Sequence, residues 1–117
     1  MVEKRNSVRF KAPFYLKWSL ADSCQEFSAI GKDINAKGVK LLLDKPHGVA
    51  AENYVSLHLL LPDKTLGVVG KVVWIQNYPD RQELGVNFVK IIDSYKQDIL
   101  DYIFKYYPQE LTRRWWQ

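Results

Sequence analysis

The chain has 117 residues, 47% apolar and 26% charged, which suits a globular protein with one hydrophobic core and no need of covalent staples. A single cysteine, Cys24, excludes an intramolecular disulfide and a cysteine zinc site, and no run approaches the ~20 apolar residues of a membrane helix. The net charge of +4 lies wholly within residues 1–17, where Lys4, Arg5, Arg9, Lys11 and Lys17 face Glu3 alone; the remaining hundred residues balance twelve bases against twelve acids. A nucleic-acid polymer is tracked by basic charge spread along a face, so this local excess suits a compact anion and argues against a polymer. Met1–Asn6 carries no apolar run behind its charges and does not read as a signal peptide, and a lone thiol fits a reducing compartment; the expected location is the cytoplasm.

From Phe10 to Leu20 the pattern alternates, with Phe14, Leu16, Trp18 and Leu20 on one face, as in a half-buried strand. Ala21–Cys24 supplies turn chemistry, and residues 26–33 read as the return strand. Further strands are expected at 38–43, 54–61, 66–76 and 83–90, separated by the Asp44–Gly48 break and by turns at Pro62–Lys64 and Asn77–Asp80. The period then changes. Ser94 with Gln97 forms the pattern of a capping box, and Tyr95, Ile99, Tyr102, Ile103 and Tyr106 recur at helical spacing. Leu100, Phe104 and Tyr107 widen that face, enough to allow a homodimer, and Pro108 ends the helix. Six short strands in a meander followed by one helix imply a small antiparallel β-barrel, mainly β, carrying a C-terminal amphipathic α-helix; closure removes exposed sheet edges. The expected organisation is a single domain over 1–117, with a basic lead-in at 1–10, the barrel at 10–90, the helix at 93–107 and a tail at 108–117.

A hairpin brings the start of its first strand beside the end of its second. Arg5 and Arg9 precede the first strand, while Asp33 ends the second and the Asn35–Gly38 turn follows it, so topology alone brings the two segments together. Arginine forks bind phosphate in bidentate fashion and stack on base planes. Asp33 can accept hydrogen bonds from a guanine edge, Asn35 can donate or accept, and Gly38 permits positive φ or a close backbone approach. The same residues also fit a solvated basic segment and an ordinary β-turn, and spacing alone leaves both readings open.

Arg5-Asn6-Ser7-Val8-Arg9 followed by Asp33-Ile34-Asn35-Ala36-Lys37-Gly38 resembles the signature of PilZ domains, bacterial receptors for cyclic di-GMP: Arg-x-x-x-Arg in an N-terminal loop, then Asp-x-Ser-x-x-Gly between the second and third strands. Gly70–Trp74 and Gly85–Phe88 also resemble the family's fifth and sixth strands, so the resemblance spans nearly the whole chain. It implies a PilZ-like split barrel, cyclic di-GMP as ligand, and Arg5, Arg9, Asp33, Asn35 and Gly38 as binding residues. Two positions depart from the pattern. Lys4 stands where many members have a further arginine, a position that tends to go with two stacked ligands, and Lys4 leaves the stoichiometry open. Asn35 stands where serine is usual, able to meet a base or phosphate edge or to crowd the site.

The implied action is a switch: ligand phosphates draw Arg5 and Arg9 onto the barrel, and the ordered lead-in with its ligand presents a new surface to an effector protein. Motility, exopolysaccharide or biofilm regulation is the expected setting. With no attached output domain in the chain, signalling is expected to run through a separate partner. The competing reading is a degenerate PilZ-like protein–protein adaptor that does not bind the nucleotide; a small barrel binding single-stranded nucleic acid through stacked aromatics is a third. No enzyme is expected: there is no P-loop, Gly-x-Ser-x-Gly or paired-carboxylate pattern, and His47, His58 and Cys24 lack metal-ligand spacing. Trp74 reads as core or as a wall beside the ligand, and the Arg113–Trp116 tail as a partner or membrane-surface contact or as a segment packed back on the fold.

Overall fold

A computed structural model describes residues 10–110. Within it the chain runs β1 (Phe10–Leu20), β2 (Phe27–Ile34), β3 (Gly38–Leu43), β4 (Tyr54–Leu61), β5 (Lys64–Tyr78), β6 (Arg81–Lys90) and α1 (Asp93–Tyr106). The strands close into an antiparallel barrel because their period-two pattern gives each an apolar inner face. Ala12, Phe14, Leu16 and Trp18 of β1, Val55, Leu57, Leu59 and Leu61 of β4, and Leu84 and Val86 of β6 are all buried there. Each of the larger side chains contributes about 1.5–3 kcal/mol by leaving water.

The barrel order is β1-β2-β3-β6-β5-β4, which corrects the expected meander. After β3 the chain does not turn back on itself. Residues 44–53 cross one end of the barrel so that β4 pairs with β1, and the place beside β3 falls to β6. Packing directs that crossing: Val49 is buried in the core, and the His47 ring lies 4.6 Å from Phe27 and 5.5 Å from Trp18. The crossing ends on β5, where Glu52 N–H donates to Val72 O and Val72 N–H to Asn53 O.

Helix α1 lies at the opposite end, where β1 begins. Its buried residues are Ile99, Tyr102 and Ile103, and the Tyr102 ring meets Phe14 edge-on at 6.2 Å. Its apolar face is narrower than the spacing predicts, for Leu100, Phe104 and Tyr106 are exposed. The Ser94–Gln97 capping box does not form. Tyr95 and Lys96 N–H groups already donate to Ile92 O, so the helix starts before Ser94, and Gln97 Nε2 donates along the helix to Asp101 Oδ1 at 2.8 Å.

Helix and barrel are joined through a bulge in β1. Lys11 pairs with Asp33 and Phe14 with Gly31, so β1 spends an extra residue around Pro13, where a missing N–H is tolerated. The Pro13 carbonyl accepts from the Tyr102 hydroxyl at 2.6 Å and the Tyr107 hydroxyl at 3.1 Å. Burial, and then the hydrogen bond with Tyr107, push the Tyr102 phenol above its ordinary value. The Lys11 amide donates to Glu110 Oε1 at 2.9 Å, tying the segment after the helix to the same strand.

Candidate functional site

The β2–β3 turn is built by its own residues. Asn35 N–H donates to Gly38 O at 3.0 Å, and the buried Asn35 side chain reaches forward so that Oδ1 accepts from Lys37 N–H at 2.7 Å and Gly38 N–H at 2.9 Å. This is an Asx-type closure, which holds the turn by local bonds. Asn35 therefore commits its side-chain oxygen to the backbone, a use beyond the expected one as donor or acceptor toward a base or phosphate edge. Gly38 does not adopt positive φ. Its part is close approach: a Cβ there would collide with the Val86 carbonyl oxygen, so glycine lets β3 lie tight against β6.

The turn sets the register on either side: Ile34 pairs with Val39 and Asp33 with Lys40. Following the ladders outward from Asp33 traces one row around the barrel's outer face, Lys11–Asp33–Lys40–Gly85–Trp74, across β1, β2, β3, β6 and β5. The Trp74 indole lies half-buried over Gly85, where a β-carbon would strike its pyrrole edge. Asp33 and Trp74 thus lie on one row, and the Asn35–Gly38 turn, with Asn35 itself buried, adjoins it next to Asp33 and Lys40. Lys4, Arg5 and Arg9 lie outside the described residues; the first described residue after Arg9, Phe10, pairs with Ile34.

The row carries paired charges. Lys40 Nζ lies 3.4 Å from Asp33 Oδ2 and 4.0 Å from Glu83 Oε1. Buried Glu83 also holds Lys32 at 3.3 Å and Arg81 at 3.9 Å. Four cations (Lys11, Lys32, Lys40, Arg81) thus stand on or beside the row with three carboxylates (Asp33, Glu83 and Asp80, which holds Arg81 at 3.2 Å), leaving an excess of one positive charge on a partly dried surface. Such a surface can accept a planar ring against Trp74, a hydrogen-bonding edge at Asp33, and negative charge at the lysines. Lys40, Glu83 and Gly85 were not among the expected site residues. Lys40 was legible, since closing a hairpin between Asn35 and Gly38 sets Asp33 opposite Lys40. Glu83 and Gly85 were not, since their place follows from the β3–β6 pairing. Among the described residues no group of three or more His, Cys, Asp or Glu is arranged to hold a metal, and no helix is long and apolar enough to cross a membrane.

A family profile described as PilZ domain matches residues 3–105. Among solved structures, the PilZ domain of Escherichia coli YcgR with c-di-GMP superposes with a TM-score of 0.75 at 15% identity, covering 96% of this chain and 97% of that one. Bacillus subtilis MotI/DgrA, described as an inhibitor of motility, gives 0.76 at 18% identity over 89% of this chain and 51% of its own. The K. pneumonia MrkH–c-di-GMP complex gives 0.71 at 15% identity over 97% and 55%. The chain therefore spans about half the length of the latter two, and at these identities the likeness is one of fold. No curated protein matches the chain significantly.

Proposed function

As the chain belongs to the PilZ domain family, whose members are receptors and adaptors for cyclic di-GMP, we propose that it binds cyclic di-GMP on the outer row and passes that state to a partner protein. The observation that carries this reading is the continuity of the row: Asp33 and Trp74 meet on one face through Lys40 and Gly85, the Asn35–Gly38 turn adjoins it, and the row begins at Lys11, two residues after Arg9. In this reading Arg5 and Arg9 clamp the ligand phosphates, with Lys4 adding charge but no planar fork. Asp33 meets a guanine edge in exchange for part of its contact with Lys40, and Trp74 walls the base. Residues 1–117 act as one binding unit without catalysis, in the cytoplasm, and the fold shared with the motility inhibitor MotI/DgrA supports a place in motility or surface-behaviour control.

The test is a calorimetric titration with cyclic di-GMP, with GMP and Arg9→Ala as controls. Micromolar or tighter binding that Arg9→Ala loses is expected, and the molar ratio reads out one ligand or two. One observation favours a second reading, the adaptor that binds protein without nucleotide: Asn35 Oδ1 is taken up by two backbone amides and Asp33 is already paired with Lys40. Absence of heat and of thermal stabilisation at high ligand concentration would select it.

A further inference from the structure

On the other side of the β2–β3 turn lies a surface that the nucleotide reading does not use. Two grooves, of about 550 and 390 Å³, adjoin at the junction between β6 and α1 and share Lys90 and Ile91 as lining. The first is walled by Lys37 of the turn, Lys90 and Lys96 together with Phe88 and Val89. The second runs over Val69, Ile92 and Tyr95. Neither is lined by an aspartate or glutamate. Lys96 has an ion-pair partner, Asp93 at 3.5 Å on the helix's first turn, whereas Lys37 and Lys90 have none among the described residues. The floor between them is apolar and open: Val89 is 53%, Ile92 54% and Val69 43% exposed.

A strip of exposed β-branched side chains is a costly surface to leave in water, and this one is edged by lysines of which only Lys96 has an ion-pair partner among the described residues. Its complement is a segment with apolar side chains along one side and carboxylates along the other. We propose that the two grooves dock an acidic amphipathic segment of a protein partner, with Val69, Val89 and Ile92 taking its apolar side and Lys37, Lys90 and Lys96 its carboxylates. A single-stranded nucleic acid fits less well, since Val69, Val89 and Ile92 offer no stacking platform. The inference rests on the adaptor half of the proposed function and not on nucleotide binding. It also gives a physical route between them. Phe88 N–H donates to Lys37 O at 2.8 Å, so the turn that borders the outer row on one side is bonded to the groove wall on the other.

The test titrates ¹⁵N-labelled protein with a synthetic amphipathic helix bearing leucines on one face and glutamates on the other, in parallel with calorimetry against cyclic di-GMP. Amide shifts confined to Lys37, residues 67–69 and residues 88–96 are expected, weakening with salt. Lys90→Glu and Val89→Asp, both at exposed positions, are expected to weaken the peptide by roughly tenfold while leaving the nucleotide titration unchanged. Shifts scattered over the barrel, or unchanged affinity in both variants, overturn the proposal. So does displacement of the peptide from these amides by oligothymidylate or by phosphatidylserine vesicles. Peptide docking in a protein that gives no heat with cyclic di-GMP supports the docking surface and removes the nucleotide reading.

Discussion

Two connections of this barrel, one at each end, are held by different physics. At the end bearing the β2–β3 turn, four residues close the chain with their own hydrogen bonds, Asn35 to Lys37, Gly38 and back, and the outer face beside them stays polar. At the other end ten residues, 44–53, cross the barrel and are held by what they bury: Val49 in the core and His47 against Trp18 and Phe27. Local closure leaves a surface free for recognition, because its stability does not depend on covering that surface. Closure by burial uses its side chains up. The candidate nucleotide site sits at the first kind of end, and so does α1.

The strongest way to break this contrast is Gly38→Val. The new side chain meets backbone at Val86 and cannot be relieved by rotating a neighbour, so β3 must part from β6. A loss of about 3 kcal/mol is expected by urea denaturation, together with loss of the cyclic di-GMP titration. A variant of wild-type stability would show that the strands do not need this approach.

Asn35→Ala and Val49→Ala compare the ends directly. Removing the Asn35 oxygen leaves two amides without an acceptor and is expected to cost about 2 kcal/mol and to weaken the nucleotide, with Asn35→Ser recovering part of both. Val49→Ala is expected to cost about 1.5 kcal/mol through lost burial and to leave nucleotide affinity alone. Equal effects of the two variants on binding would erase the distinction between the ends.

Gly85→Ala probes the row itself. The added methyl group strikes a side chain, not backbone, so the Trp74 indole swings away and stability falls by only about 1 kcal/mol. The Trp74 indole N–H resonance is expected to move and cyclic di-GMP affinity to drop. Retained affinity with a displaced indole would remove Trp74 from the site.

The smallest expected effect concerns the tie between α1 and β1. Tyr102→Phe loses one donor to Pro13 O, but Tyr107 still supplies another, so about 1 kcal/mol is expected. Because the folded phenol is held above the ordinary value of 10, the unfolded chain releases its proton first as pH rises. The stability contribution of Tyr102 is therefore full at neutral pH and declines above about pH 10, and the difference between wild type and Tyr102→Phe should shrink there. A difference that stays constant across that range would mean that the hydroxyl is not held neutral by the fold.

Much of this was written locally. Alternation marked the strands, and β1, β3 and β4 begin and end where Phe10–Leu20, Gly38–Leu43 and Tyr54–Leu61 alternate or turn apolar. The Asn35–Gly38 turn, and through it the facing of Asp33 and Lys40, follow from residues within a few positions of one another. The helix was legible from its spacing, but the way it is capped was not. Ser94 and Gln97 carry the letters of a cap, whereas the chain enters the helix from β6 in a direction that lets Ile92 O take the first amides. Strand order was legible within β1-β2-β3 and within β4-β5-β6, where consecutive strands pair, but not in how these two halves join. Valine- and leucine-rich strands satisfy one another's ladders almost interchangeably, so whether β3 meets β4 or β6 is settled by the packing of the 44–53 crossing across the barrel end. That long-range choice is what sets Gly85 beside Lys40, together with the Trp74 indole that the β5–β6 hairpin lays over it, and turns a loose pair of motifs into one surface.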